Sequence, residues 1–168
     1  MKWNMIGTVL LVLAALTASA MAYPYAAKVN GFTVTWEESS GTVYHKVVPP
    51  SAGSSSAWLL IGDQVSLPGW ATQTEVLIAP CNDPDNMKNI VLIKLASFTG
   101  DDSKKMPMGY FTLISGRGGY ADSARLSDGH YYSVAMVPLD DGMGAMITTV
   151  DNQDQFSDTM NSIQFDKS

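Results

Sequence analysis

Residues 125–165 read RLSDGHYYSVAMVPLDDGMGAMITTVDNQDQFSDTMNSIQF, and this stretch decides the fold. Asp128-Gly129 and Asp141-Gly142 each sit between apolar or alternating runs, and Asp-Gly suits the positive φ of a two-residue type I′ hairpin turn. The spacing predicts a meander with strands over 120–127, 130–139 and 143–150, Ser127 opposite His130 and Asp140 opposite Met143. In that register Met136 faces Ile147 and Val137 faces Met146. The middle strand then carries apolar groups on both faces, as a central strand does. Pro138 falls near the turn, where a missing ladder donor is tolerated. Beyond Val150 the period becomes helical: Phe156, Met160 and Ile163 recur on one side, with Asp151 as N-cap and Asp154 at a capping-box position. A short amphipathic helix packed on the sheet is the expectation.

Working outward to the start of the chain, Lys2 precedes an apolar run from Ile6 to Leu16, and Ala20-Met21-Ala22 supplies small residues for cleavage before Tyr23. Residues 1–22 therefore read as a cleavable export signal, and 23–168 as a single exported domain. An uncleaved N-terminal membrane anchor is the alternative. The apolar run is shorter than the ~20 residues of a membrane span, and no later segment approaches that length. The residue after the cut is Tyr23, so Cys81 offers no lipid attachment there. The 168-residue chain has 16 Asp+Glu against 10 Lys+Arg, and removing Lys2 with the signal makes it one charge more acidic. That balance disfavours nucleic acid or an anionic membrane as partner. One cysteine permits no intrachain disulfide, so the core must come from packing.

Phe32, Val34 and Trp36 alternate with threonines, and Val43, His45 and Val47 alternate in turn, which predicts a hairpin over 31–48 connected through Ser39, Ser40 and Gly41. Residues 49–57 are rich in Pro, Gly and Ser and read as a flexible loop. Further strands are expected at Trp58–Ile61, Glu75–Ala79, Ile90–Phe98 and Tyr110–Ile114, with Pro68-Gly69 a turn and Asp101–Lys105 a charged loop. About eight short strands and one helix give an α+β domain, mainly antiparallel sheet with the C-terminal helix packed on it; an all-β sandwich or barrel is the alternative.

Two groups of residues could bind small ions. Gly116, Arg117, Gly118 and Gly119 could form a backbone nest for an anion with Arg117 assisting, although the spacing is not that of a phosphate loop and the plain alternative is a connection between strands. Asp83, Asp85 and Asn86 offer closely spaced oxygens of the kind Ca²⁺ prefers, without the spacing of an EF-hand. Asn82-Asp83-Pro84 is also an ordinary turn signal. His45 and His130, the only histidines, belong to no metal motif, and no nucleophile elbow or other catalytic pattern occurs. Met136, Met143 and Met146 read as core packing and Cys81 as a sheltered free thiol. No catalytic residue and no cofactor are assigned.

At the C-terminal end the order strand, Asp-Gly turn, strand, then Asp151, Phe156, Thr159, Met160, Ser162, Ile163 and Phe165, resembles the end of PsbP/Mog1-like domains over about the last quarter of the chain. In that family the last sheet strand commonly leads into a helix closing in a Ser-Ile-hydrophobic pattern. The resemblance implies a noncatalytic binding or assembly factor. An export signal, a predicted sheet core and no reaction motif make the expected function an exported noncatalytic binding or assembly domain at the cell envelope. The site would be periplasmic, extracellular or on the cell surface, and the partner an envelope or extracellular protein or a small ligand. A secreted enzyme and a structural surface protein are the alternatives.

Overall fold

The computed structural model describes residues 23–38, 44–62, 74–81, 83–99, 110–125, 131–150 and 153–168. Ten strands occur among them: β1 Tyr23–Val29, β2 Phe32–Glu38, β3 Tyr44–Val48, β4 Ala57–Gly62, β5 Thr74–Pro80, β6 Tyr110–Ile114, β7 Arg117–Arg125, β8 Tyr131–Pro138, β9 Met143–Val150 and β10 Gln164–Lys167. Helix α1 spans Pro84–Thr99 and α2 spans Gln153–Ser162. The strands form two antiparallel sheets, a large one in the order β3-β4-β5-β9-β8-β7-β6 and a small one in the order β1-β2-β10. Mainly antiparallel sheet with helices is thus the architecture. Outside the described residues lie 1–22, Pro68-Gly69, Asp101–Lys105, Asp128-Gly129, His130 and the proposed cap Asp151.

The meander stands at the middle of the large sheet, but its register differs from the expected one. Met136 pairs with Met146 and Ala135 with Ile147, one residue away from Met136 opposite Ile147. The cause is the turn. Residues 140–142 form a three-residue loop closed by the Leu139 amide donating to the Met143 carbonyl at 2.8 Å, so Asp140 belongs to the loop instead of facing Met143. Asp141 and Gly142 both take left-handed φ, 58° and 68°. Arg125 likewise pairs with Tyr131, again one residue from the register a two-residue turn would set. Apolar groups still occupy both faces of β8. Val134 and Met136 join Met146 under α1, while Ala135 and Val137 join Ala145 and Ile147 in the core between the sheets.

Ile90–Phe98 is helix, not strand. Asp83 and Pro84 start it, with Pro84 in the first turn where its missing donor costs nothing and the Met87 amide donating to the Asp83 carbonyl at 3.1 Å. Met87, Val91 and Leu95 recur every four residues and are fully buried against β7 and β8. Ile93, which strict alternation puts beside Val91 and Leu95, is 68% exposed. Each of the three buried side chains contributes about 1.5–3 kcal/mol of apolar burial.

The expected 31–48 hairpin is also corrected. β2 and β3 belong to different sheets: β2 pairs with β1 and β10, whereas β3 pairs with β4. The turn that does form is Asn30-Gly31, which joins β1 to β2 with φ of 50° and 84°. Phe32, Val34 and Trp36 nevertheless point inward, as their alternation predicts, into a core shared with Leu59, Ile61, Val76 and Ile78 of the large sheet. Asn30 reinforces the junction, its side-chain amide donating to the Ser55 carbonyl at 2.8 Å and the Ile78 carbonyl at 3.2 Å. The segment before Ser56, read as a flexible loop, is exposed but holds a turn in which the Ser54 amide donates to the Ser51 carbonyl at 2.9 Å. Phe156 of α2 and Ile163, the residue after it, are buried in the same core.

Candidate functional site

The glycine stretch ends up at one end of the large sheet. Ser115 and Gly116 make the two-residue turn between β6 and β7, with φ of 53° and 70°, and Arg117, Gly118 and Gly119 open β7. Arg117 reaches Asp140 in the neighbouring loop through two nitrogens, at 2.7 and 3.2 Å from the two carboxylate oxygens. The fork matches the carboxylate, which raises the Arg117 pKa and lowers that of Asp140. Lys167 pairs with Asp141 at 2.6 Å beside it, and its pKa rises for the same reason. Ser115 donates to the Gln164 side chain at 2.9 Å and accepts the Phe165 amide at 3.3 Å. The cluster ties two turns of the large sheet to β10. An anion at Arg117 has to compete with a carboxylate already in bidentate contact.

Gly118 and Gly119 answer to packing. A Cβ on Gly118 would stand 2.7 Å from the Phe111 ring, and one on Gly119 would run into the Met136 carbonyl oxygen of β8. Side chains are absent there so that Phe111 can lie over β7 and β7 can close on β8.

Of the oxygen ligands, Asp83 and Asn86 are exposed at the start of α1; Asp85 lies in its first turn and its side chain is outside the described residues. Among the described residues no group of three or more His, Cys, Asp or Glu side chains could hold a metal ion. Cys81 is buried, and a Cβ on Gly144 would stand 2.8 Å from its own Cβ. His45 sits on β3, its ring edge-on to Trp36 at 5.7 Å, while Tyr25 stacks on Trp36 at 5.5 Å. The Trp36 Nε1 donor is buried and meets no hydrogen-bond acceptor among the described residues.

A buried polar group that sequence reading misses lies on the α1 face. Glu75 and Thr148 are paired across β5 and β9, and both are buried. Tyr132 stands near them; burial, then the Glu75 charge, push its pKa up to about 12, against the pull of a hydrogen bond with Thr148. At neutral pH the phenol is therefore protonated, a donor and not a base.

The remaining feature is the outer edge of the large sheet. On β6, Tyr110, Phe111 and Leu113 are 63%, 67% and 69% exposed. Among the described residues no strand pairs with its outer side. The tight turn makes Ile114 and Arg117 a hydrogen-bonded closing pair, and an antiparallel ladder alternates bonded and non-bonded pairs. Thr112 opposite Gly119 is thus bonded, while Phe111 opposite Tyr120 and Leu113 opposite Gly118 are not. The N–H and C=O groups of Phe111 and Leu113 consequently face outward. Phe111 contacts Tyr120 edge-on at 6.0 Å, on the face that α1 covers over β7 and β8. The strand itself is predictable from its β-branched and aromatic composition, but its uncovered position depends on the whole sheet order.

No known family model matches the chain, and no curated protein sequence matches it. Among the described residues no helix is long and apolar enough to cross a membrane.

Proposed function

We propose that the chain is an exported, noncatalytic binding or assembly domain of the cell envelope, and that it recruits a protein partner by strand addition along β6. The observation that carries this reading is an edge strand with outward backbone donors and acceptors and three exposed apolar side chains, Tyr110, Phe111 and Leu113. Such an edge templates another strand, the backbone giving affinity and alternate side chains specificity. The export signal of residues 1–22 supplies the address. The resemblance of the last quarter of the chain to PsbP/Mog1-like domains, which implies a noncatalytic binding or assembly factor, is in keeping with this class.

A photo-cross-linking amino acid placed at Phe111 in the natively produced protein tests the reading, with the same group at Tyr44 on the opposite edge as reference. A discrete cross-linked species at Phe111 and none at Tyr44 is expected. Equal yields at both positions, or none at Phe111, overturn the strand-addition reading. Mass spectrometry of the same preparation tests the address and should find Tyr23 first; retention of Met1 overturns it in favour of an anchor.

A further inference from the structure

We infer that the strand added to β6 is β6 of a second copy of this chain, antiparallel across a twofold axis through Thr112. This rests on the strand-addition reading above and names the partner. The edge is self-complementary in a way the sequence of the strand dictates. With the axis at Thr112, Phe111 stands opposite Leu113 of the second copy and Leu113 opposite its Phe111. These are the two residues of β6 whose N–H and C=O groups face outward, so each Phe–Leu pair exchanges two backbone hydrogen bonds. Centring the axis on Phe111 or Leu113 leaves one of the two outward residues without its counterpart on β6. The same axis joins the exposed apolar side chains: Phe111 and Leu113 share one face of the sheet, and each gains the other as a cross-strand neighbour. No residue of β6 is charged, so two copies meet there without like charges facing one another. An interface of this kind is isologous and closes on itself, making a dimer with one continuous sheet through both copies.

Thr112 supplies the sharpest test. In this register the two Thr112 residues form a non-hydrogen-bonded pair, with Cα atoms about 4.5 Å apart, inside the roughly 4.4–6.8 Å that a disulfide spans. Purified Thr112→Cys protein under a mild chemical oxidant should become a reductant-sensitive covalent dimer, whereas the parent, with Cys81 buried, and Tyr44→Cys should not. Sedimentation of the parent should show a concentration-dependent dimer, and Leu113→Lys should raise its dissociation constant about tenfold or more. Tyr44→Lys should leave it unchanged. A parent that stays monomeric at millimolar concentration, with Thr112→Cys no more cross-linked than Tyr44→Cys, overturns the second copy as occupant. Photo-cross-linking from Phe111 to a chain of different mass would then still uphold strand addition, with another protein as the strand donor. A dimer that does not cross-link through Thr112→Cys, or that survives Leu113→Lys unweakened, overturns the register and the proposal with it.

Discussion

The two outer strands of the large sheet carry opposite instructions. β3 reads Tyr44-His45-Lys46-Val47-Val48 and runs straight into Pro49-Pro50, while β6 reads Tyr110-Phe111-Thr112-Leu113-Ile114. Lysine and proline are the usual means of discouraging a further strand. At β3 the ring of His45 is also engaged by Tyr25 and Trp36 from the small sheet. β6 has neither charge nor proline, and it exposes two apolar side chains on one face. Tyr44 is 61% exposed too, so exposure alone does not separate the edges. The difference is that one edge is guarded and the other is not, within a single sheet.

Substitutions across the sheet sharpen this contrast, and the largest effect belongs at its centre. Ile147 is fully buried on β9, so Ile147→Asp should cost about 4 kcal/mol or more and leave little folded protein by circular dichroism. Next comes the buried phenol. The folded pKa of Tyr132 lies at about 12, above its ordinary 10.0, so its contribution is complete below pH 10 and is lost as pH rises toward 12. A shift of that size corresponds to at most about 2–3 kcal/mol, less the part that solvent screens. Alkaline unfolding should steepen over that window, and Tyr132→Phe should flatten it. Gly142→Val forces a β-branched residue to a φ of 68°, and should cost about 1–3 kcal/mol in denaturant titration. Smaller again is the Arg117–Asp140 pair. Because Asp140 titrates below its ordinary 3.8 in the fold, the pair's contribution is present above that value and is lost as pH falls through the folded pKa. Arg117→Met should therefore weaken the acid dependence of the melting temperature while changing the neutral value little. At the edges, Leu113→Lys and Tyr44→Lys should each stay within about 0.5 kcal/mol of the parent monomer. If Leu113→Lys destabilises the monomer as Ile147→Asp does, β6 is covered and the contrast between the edges fails.

Local pattern was enough for some elements and not for others. β6 and β9 have the limits their sequences predict, and Phe32, Val34 and Trp36 alternate into the core as expected. The partner of a strand is another matter: alternation in β2 says nothing of β10, more than a hundred residues away, although Asn30-Gly31 is a strong local sign that β2 turns back onto β1. For α1, the run Ile90-Val91-Leu92-Ile93 fits either period. The deciding residues are Met87 and Leu95, spaced four on either side of Val91, with Asp83-Pro84 before them. Register failed by one residue because Asp-Gly can end a three-residue loop as readily as it fills a two-residue one. At the glycine stretch the residues are all legible, but Arg117 has its partner on Asp140, which only the β7–β8–β9 meander brings near.

The small sheet has one more consequence, and it concerns time. β2 takes strands from both extremes of the described chain: β1 precedes it directly, whereas β10 arrives after every other described element, and Thr33 meets Ser168 at 2.8 Å across 135 residues of sequence. Closing so long a loop is entropically slow. A nascent chain can therefore assemble β1 and β2 early, but the flank of β2 that later receives Phe165 stays bare until residues 164–167 emerge. Removal of 164–168 would freeze the molecule at that stage, with an unsealed seam on the small sheet and a hydrophobic groove where Phe165 belongs.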